Sequence, residues 1–242
     1  MRLRLATYNI HACVGSDGRF DPERIVQVLE ELDAAVVALQ EVEHHRVEGQ
    51  DLLDYLAAAA GLTAIAGPTL LRGTRDYGNA LLTRLPVLAV KRIDLSVADR
   101  EPRGALDVAL AWGPLRMQVV ATHLGLRPGE RRWQTRRLLT LFEPTSADLA
   151  ALLGDLNEWL LWGRPLRWLR RHFPVIANPP TYPARFPLFA LDRIWVRPRA
   201  LVRNLQAHHS PVARMASDHL PLKALLIRHP TWKSGNREPD PG

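Results

Sequence analysis

At 242 residues with 47% hydrophobic side chains, the chain is long enough to bury a sizeable core, as one large domain or two small ones. Its net charge of +7 suits an anionic partner such as nucleic acid, phospholipid or another phosphoester, although Arg-rich usage alone gives the same excess. One cysteine, Cys13, excludes an internal disulfide framework and fits a reducing cytoplasm. No apolar run reaches the ~18 residues of a membrane span, and the start alternates like a strand rather than forming a secretory signal.

Residues 3–10 alternate and predict a first strand ending in Thr7-Tyr8-Asn9-Ile10-His11; a glycine-containing loop comes next at 15–18. Asp21-Pro22-Glu23 supplies an N-cap, a first-turn proline and a first-turn acid, and Ile25, Val28, Leu29 and Leu32 then recur at helical spacing. Residues 34–39 read as a buried strand ending in Gln40-Glu41, and 52–60 as a short helix closed by Gly61. A loop is expected at 67–76, carrying Arg72 and Arg75. Strands are expected at 79–83, 86–95, 105–112 and 115–122, the third opened by Arg103-Gly104 and the last running into His123. Residues 130–142 read as a basic helix. The apolar run 149–153 reads as a buried strand that stops in Gly154-Asp155-Leu156-Asn157.

Beyond it, 159–173 holds three Trp and four Arg, with Gly163 and Pro165 confining any helix to the residues after them. Residues 174–187 are proline-rich and irregular, and include Arg185. Two more strands are expected at 191–196, carrying Asp192, and at 201–205. Ser217-Asp218-His219 precedes a last strand at 220–227, and 229–242 reads as a loose polar tail. No composition break divides residues 1–228. Many strands with few helices suggest two packed sheets with helices outside.

The polar residues at strand ends carry the functional reading. Asp155 and Asn157 lie two apart in extended chain and point the same way. Asp155 can orient or deprotonate a water, and Asn157 can donate to a developing oxyanion. Alone, such an Asp-x-Asn is more often a turn that closes a strand. Asn9, Asn79, Arg103, His123 and Asp218 each have an equally ordinary structural reading. Together they supply the parts of a metal-assisted phosphoester hydrolase. Glu41 with Asn9 and Asp218 offers oxygen ligands for Mg²⁺, with Mn²⁺ as a substitute. His219 with Asp192 makes a histidine–carboxylate dyad, and His123, Asn157, Asn79 and Arg103 offer donors to phosphoryl oxygens. No Cys/His cluster has zinc spacing.

The ordered set Thr-Tyr-Asn-Ile-His, Leu-Gln-Glu, Tyr-Gly-Asn-Ala-Leu-Leu-Thr, Thr-His-Leu, Gly-Asp-Leu-Asn, Leu-Asp-Arg-Ile-Trp-Val and Ser-Asp-His resembles the endonuclease/exonuclease/phosphatase superfamily from residue 3 to about 227. The resemblance implies a deoxyribonuclease I-like α/β fold, a four-layer sandwich of two mixed sheets flanked by helices. It implies Glu41 as principal Mg²⁺ ligand beside Asn9, Asp155 as the group that activates water, and Asn157 as a phosphate-holding group. His219, held by Asp192, would contact the scissile phosphate. Asp218 would be a metal or supporting group, His123 a phosphate donor or leaving-group acid, and Arg103 a phosphate contact.

These readings lead to a cytoplasmic, Mg²⁺-dependent phosphodiesterase with nuclease-like mechanism. The substrate stays open between nucleic acid and phospholipid. The stretch 159–173 fits an inner-membrane surface, a nucleic-acid platform or a packed helix. Arg72, Arg75 and Arg185 are candidate substrate-facing cations. A catalytically silent binding module is the alternative from another class, and no obligate protein partner is implied.

Overall fold

The computed structural model describes residues 1–43, 45–47, 49–72, 75–142, 147–174 and 177–228, with the side chains of 70–72 and 75–76 left out. Apolar residues alternating along the strands build two facing sheets. The six-stranded sheet holds β1 (Arg2–Asn9), β2 (Val36–Glu43), β5 (Thr63–Arg72), β6 (Arg75–Thr83), β12 (Val202–Ala207) and β13 (Leu222–Ile227), in the order β12-β13-β1-β2-β6-β5. The five-stranded sheet holds β7 (Val87–Asp94), β8 (Gly104–Trp112), β9 (Leu115–His123), β10 (Leu149–Asp155) and β11 (Asp192–Arg197), in the order β11-β10-β9-β8-β7. Both are mixed: β1 runs parallel to β2 and β9 parallel to β10, while the other pairings are antiparallel. Two further strands, β3 (Arg46–Val47) and β4 (Gln50–Asp51), form a short ribbon.

Three apolar clusters separate four layers. Leu3, Leu5, Val36 and Ala38 meet Val119, Ala121, Ala151 and Leu153 between the sheets. On the outer face of the first sheet, α1 (Pro22–Leu32) and α2 (Leu52–Ala59) bury Ile25, Leu29 and Leu56 against Ala6, Tyr8 and Val37, joined by Ala213 of the short α5 (Ala213–Ala216). On the outer face of the second, α3 (Pro128–Leu139) and α4 (Arg164–Leu169) pack Leu138, Leu166 and Leu169 over Val120 and Leu152. Each buried Val, Leu or Ile among them contributes about 1.5–3 kcal/mol relative to exposure. This is the expected deoxyribonuclease I-like sandwich.

Local chemistry sets the helix ends. Asp21 accepts from the Arg24 amide at 3.3 Å to start α1, and Asp51 from the Leu53 amide at 2.9 Å to start α2. Gly61, at φ +62°, closes α2 in the left-handed region that a side chain resists. Gly163 caps α4, with Pro165 in its first turn as its sequence position predicts.

Two expectations are corrected. The loop at 67–76 is largely hairpin: β5 pairs β6 as far as Arg72 opposite Arg75. Gly67 and Pro68 lie within β5, an edge strand, where proline is tolerated, and a register shift between Pro68 and Leu70 absorbs the irregularity. The helix expected at 130–142 is α3 plus a 3₁₀ turn at Thr140–Phe142, and its basic residues are not all solvated. Arg131 is buried, pairs with Glu158 at 3.3 Å and donates to the Leu126 carbonyl at 2.6 Å. Beside it Gln134 accepts from the Gly125 amide at 2.8 Å and donates to the Leu95 carbonyl at 3.0 Å. No helix among the described residues is long and apolar enough to cross a membrane. The tail expected at 229–242 lies outside the described residues.

Candidate active site

The site is the polar end of the layer between the sheets. Along β10, Leu149, Ala151 and Leu153 face the opposing sheet, and strand alternation sends Asp155 the same way. Pairing brings the neighbours level, with Asp155 opposite His123 on β9 and opposite Asp192 on β11. His123 continues the stripe of Val119 and Ala121, and Asp192 that of Ile194 and Val196. From the other sheet Asn9 continues the stripe of Leu3 and Leu5. Its Nδ2 donates to Asp155 Oδ2 at 3.2 Å and to Glu41 Oε1 at 3.0 Å.

Glu41 reaches this cleft by breaking the alternation. Simple alternation along β2 would place it with Val37 and Leu39 on the helix-covered face. A register shift between Leu39 and Val42, with Glu41 at φ 56°, turns its carboxylate toward Asn9 instead. Gly154 is the second special backbone position. At φ +147°, a Cβ there would sit 1.8 Å from the Thr122 carbonyl oxygen, so the turn into Asp155 requires glycine.

On one flank, His219 Nδ1 lies 2.8 Å from Asp192 Oδ2, and the Thr181 hydroxyl donates to the same oxygen at 2.5 Å. Nδ1 therefore carries a proton, and Nε2 faces Asp155 Oδ2 at 3.7 Å. The Ser217 hydroxyl donates to the Asn9 carbonyl at 2.7 Å and accepts from the His219 amide at 3.2 Å, tying the His219 turn to β1. Tyr182 stacks obliquely on the imidazole, centroids 4.8 Å apart.

On the other flank, Arg103 Nη1 lies 3.1 Å from His123 Nδ1. A guanidinium only donates, so Nδ1 accepts and the ring proton sits on Nε2. That proton faces Asp155 Oδ2 at 3.5 Å and Glu41 Oε1 at 3.9 Å. Asn157 Nδ2 donates to the Leu124 carbonyl at 2.9 Å, which fixes the amide's orientation. Its 3.0 Å approach to His123 Nε2 is then a packing contact rather than a hydrogen bond. The Asn157 backbone amide, at φ 48°, donates to Asp155 Oδ1 at 2.8 Å and fixes the carboxylate plane. Asn79 and Thr122 both donate to the Gly104 carbonyl, at 2.9 and 3.0 Å, holding the turn that carries Arg103. Arg103 also pairs with Glu101 at 3.1 Å.

Burial pushes the Asp155 carboxyl up to about 6, against the opposing pull of His219. Burial alone would lower His219, but Asp192, by charge and hydrogen bond, and then Asp155 outweigh it and raise the imidazole to about 10. The donor set fits a hard cation. Two carboxylates, Glu41 and Asp155, converge on one neutral amide, an arrangement that an oxygen-preferring divalent ion would relieve. Asp155, Asp192 and His219 also present ligand atoms within 4.8 Å of one another. An ion among those three would break the bond between His219 and Asp192, so the side shared by Glu41 and Asp155 fits better.

Asn9, Glu41, Asn79, Arg103, His123, Asp155, Asn157, Asp192 and His219 thus belong to one connected cluster. Asp218 is half-exposed, 3.9 Å from His11 Nδ1 and 3.4 Å from the Ser217 hydroxyl. Arg185 is exposed, and its carbonyl accepts from Arg214 at 3.0 Å. Arg72 and Arg75 sit at the end of the hairpin, and their side chains lie outside those described. Sequence reasoning missed Thr181, Tyr182 and Ser217. Nothing local marks the first two, whereas Ser217, directly before Asp218-His219, was legible as a turn hydroxyl.

The chain matches the Endonuclease/Exonuclease/phosphatase family over residues 6–219. It is 29% identical over 247 residues to the uncharacterized protein YbhP of Escherichia coli (strain K12), covering 91% of this chain and 94% of that one. An endonuclease/exonuclease/phosphatase structure from Beutenbergia cavernae is similar, with TM-score 0.78, 24% identity and coverage of 93% of this chain and 71% of that one. The human Nocturnin catalytic domain is similar with TM-score 0.72, 18% identity and coverage of 93% and 94%. The chain belongs to the endonuclease/exonuclease/phosphatase family, with that family's phosphoester-hydrolase fold.

Proposed function

We propose that this protein is a divalent-metal-dependent phosphodiesterase that uses water as its nucleophile. The observation that carries the reading is the convergence on Asp155 Oδ2 of Asn9 Nδ2 at 3.2 Å, His123 Nε2 at 3.5 Å and His219 Nε2 at 3.7 Å. A buried carboxylate raised to about 6 is a stronger base than an ordinary aspartate. In this reading Asp155 takes a proton from water while the water oxygen bonds to phosphorus. The opposite P–O ester bond breaks, and the leaving oxygen takes a proton from His219 Nε2 or from solvent, giving a phosphomonoester and an alcohol.

Glu41 and Asp155 would hold Mg²⁺ or Mn²⁺, which when bound neutralises charge on phosphoryl oxygens. Asn9 is not the oxygen ligand expected from the sequence: its Oδ1 accepts from the His11 amide at 3.1 Å and its NH2 faces the two carboxylates, so it positions them. His219 Nε2 donates to a non-bridging or leaving oxygen, and Asp192 and Thr181 hold the ring for it. His123, its proton set on Nε2 by Arg103, donates from the other flank. Asn157 acts through its backbone amide, fixing Asp155. Asp218 keeps a supporting role at the rim. Buried Cys13 takes no part, and a lone buried thiol suits the cytoplasmic location inferred from the sequence.

The test is hydrolysis of bis(p-nitrophenyl) phosphate with Mg²⁺ or Mn²⁺. Turnover that EDTA abolishes and added metal restores supports the reading. A folded protein that binds metal yet hydrolyses neither this diester, nor supercoiled plasmid, nor phospholipid would instead be a silent binding module.

A further inference from the structure

Beside His219 the site wall turns apolar and stays so out to solvent. The His219 ring stacks on Tyr182, and Trp159 meets Tyr182 edge-on at 5.8 Å and Phe189 at 4.8 Å. These contacts join the segment after Asn157 to the loop that returns toward β11. At their tips the two segments leave large apolar side chains uncovered: Trp162 is 69% exposed, Phe186 77% and Leu188 72%, with Leu160 and Leu161 also exposed. Scattered exposed apolar residues are ordinary, but Trp159, Phe189 and Tyr182 link these two segments to a candidate catalytic histidine.

The charge around it has one sign. Between Glu158 and Asp192 the sequence contains five Arg and neither Asp nor Glu. Arg164, Arg167, Arg171 and Arg185 of that stretch are exposed. Rings alone would suit stacked bases. Leucines beside them do not stack on bases, but they do enter acyl chains. An apolar tip fringed by arginine matches an anionic bilayer, with side chains below the headgroups and guanidinium groups on lipid phosphates.

The geometry points to a membrane-docking lip formed by residues 159–162 and 186–189, which seats the chain on an anionic phospholipid surface and brings lipid phosphodiesters to His219 and Asp155. The lip deepens the phosphodiesterase reading and rests on it for substrate, whereas docking itself requires no turnover.

The experiment is co-sedimentation with phosphatidylcholine vesicles containing about 30 mol % phosphatidylglycerol. Wild type and Asp155→Asn should pellet alike, so a failure of the catalytic reading leaves this result standing. The triple variant Trp162→Ser/Phe186→Ser/Leu188→Ser should bind about tenfold more weakly or worse, with an unchanged circular-dichroism melt, because all three side chains are already in water. Arg164→Gln/Arg167→Gln should weaken binding to these vesicles and leave binding to pure phosphatidylcholine unchanged. Wild type that stays in the supernatant overturns the proposal. So does pelleting that the triple variant keeps in full. A single-stranded DNA shift lost in the triple variant, without vesicle binding, would reassign the lip to nucleic acid.

Discussion

The floor of the site and its lip, linked through the Tyr182 ring, use opposite chemistry. On the floor, charged and polar groups are buried: Asp155, Asp192, His123 and His219 are almost fully enclosed, and each is fixed by named partners. On the lip, apolar groups are exposed, although Trp159 and Phe189 brace each other and Trp159 also meets Tyr182. Burial with partners fixes protonation states and geometry, as a chemical step requires. Apolar exposure without partners stabilises nothing in the isolated chain and implies a surface made for something else. Floor substitutions should therefore change chemistry or folding, and lip substitutions should leave folding and turnover of a soluble diester unchanged.

The largest structural effect is expected at Gly154→Ala. The new Cβ would fall 1.8 Å from the Thr122 oxygen, at a φ of +147° that alanine resists. A loss of about 3 kcal/mol or more, read in urea unfolding, should accompany loss of turnover. A neutral Gly154→Ala would mean that the β9–β10 end is softer than its geometry. Next comes Asp192→Asn, which removes the charge beside His219 and leaves the shape. Turnover should fall about 100-fold or more while metal affinity, by calorimetry, is kept. Loss of metal binding in that variant would move the ion toward the Asp192–His219 side.

Two pH effects sharpen the account of the floor, both measured on metal-free protein. The His219 pKa is raised from 6.5 to about 10 in the fold. Its stabilisation is therefore complete below about pH 6.5 and is lost as pH rises through about 10. The melting temperature of wild type should fall toward that of His219→Gln across this window, and a constant gap would contradict it. Asp155 is raised from 3.8 to about 6, so its ionised form opposes folding, fully above about pH 6 and not at all below about 4. Asp155→Asn should melt higher than wild type near roughly pH 8, with the difference fading in acid. The smallest effect is expected on the lip, where Leu188→Ser should leave stability within about 0.5 kcal/mol.

Much of the floor was legible because strand alternation is a local signal. Asn9, His123, Asp155 and Asp192 extend apolar stripes that can be read directly. Glu41 could be identified but not aimed, since its orientation depends on a bulge opposite β6. Thr181 and Tyr182 were hidden because tertiary packing alone brings a proline-rich segment against Asp192 and His219. Gly67-Pro68 concealed β5, since a break signal does not reveal that the strand is at an edge. Arg131 and Gln134 defeated helical pattern reading by filling the inner face of α3 with polar groups, satisfied by the nearby Leu126 carbonyl and the distant Leu95 carbonyl. The lip was visible as Trp, Leu and Arg, but composition could not separate buried Leu166 and Leu169 from exposed Leu160 and Leu161.

The most direct test is Mg²⁺-dependent hydrolysis of bis(p-nitrophenyl) phosphate by wild type beside Asp155→Asn, purified identically and matched by circular dichroism. Turnover by the wild type that falls about 1,000-fold in the variant is the predicted result. Turnover retained near the wild-type rate would remove Asp155 from the chemistry and contradict the site built around it.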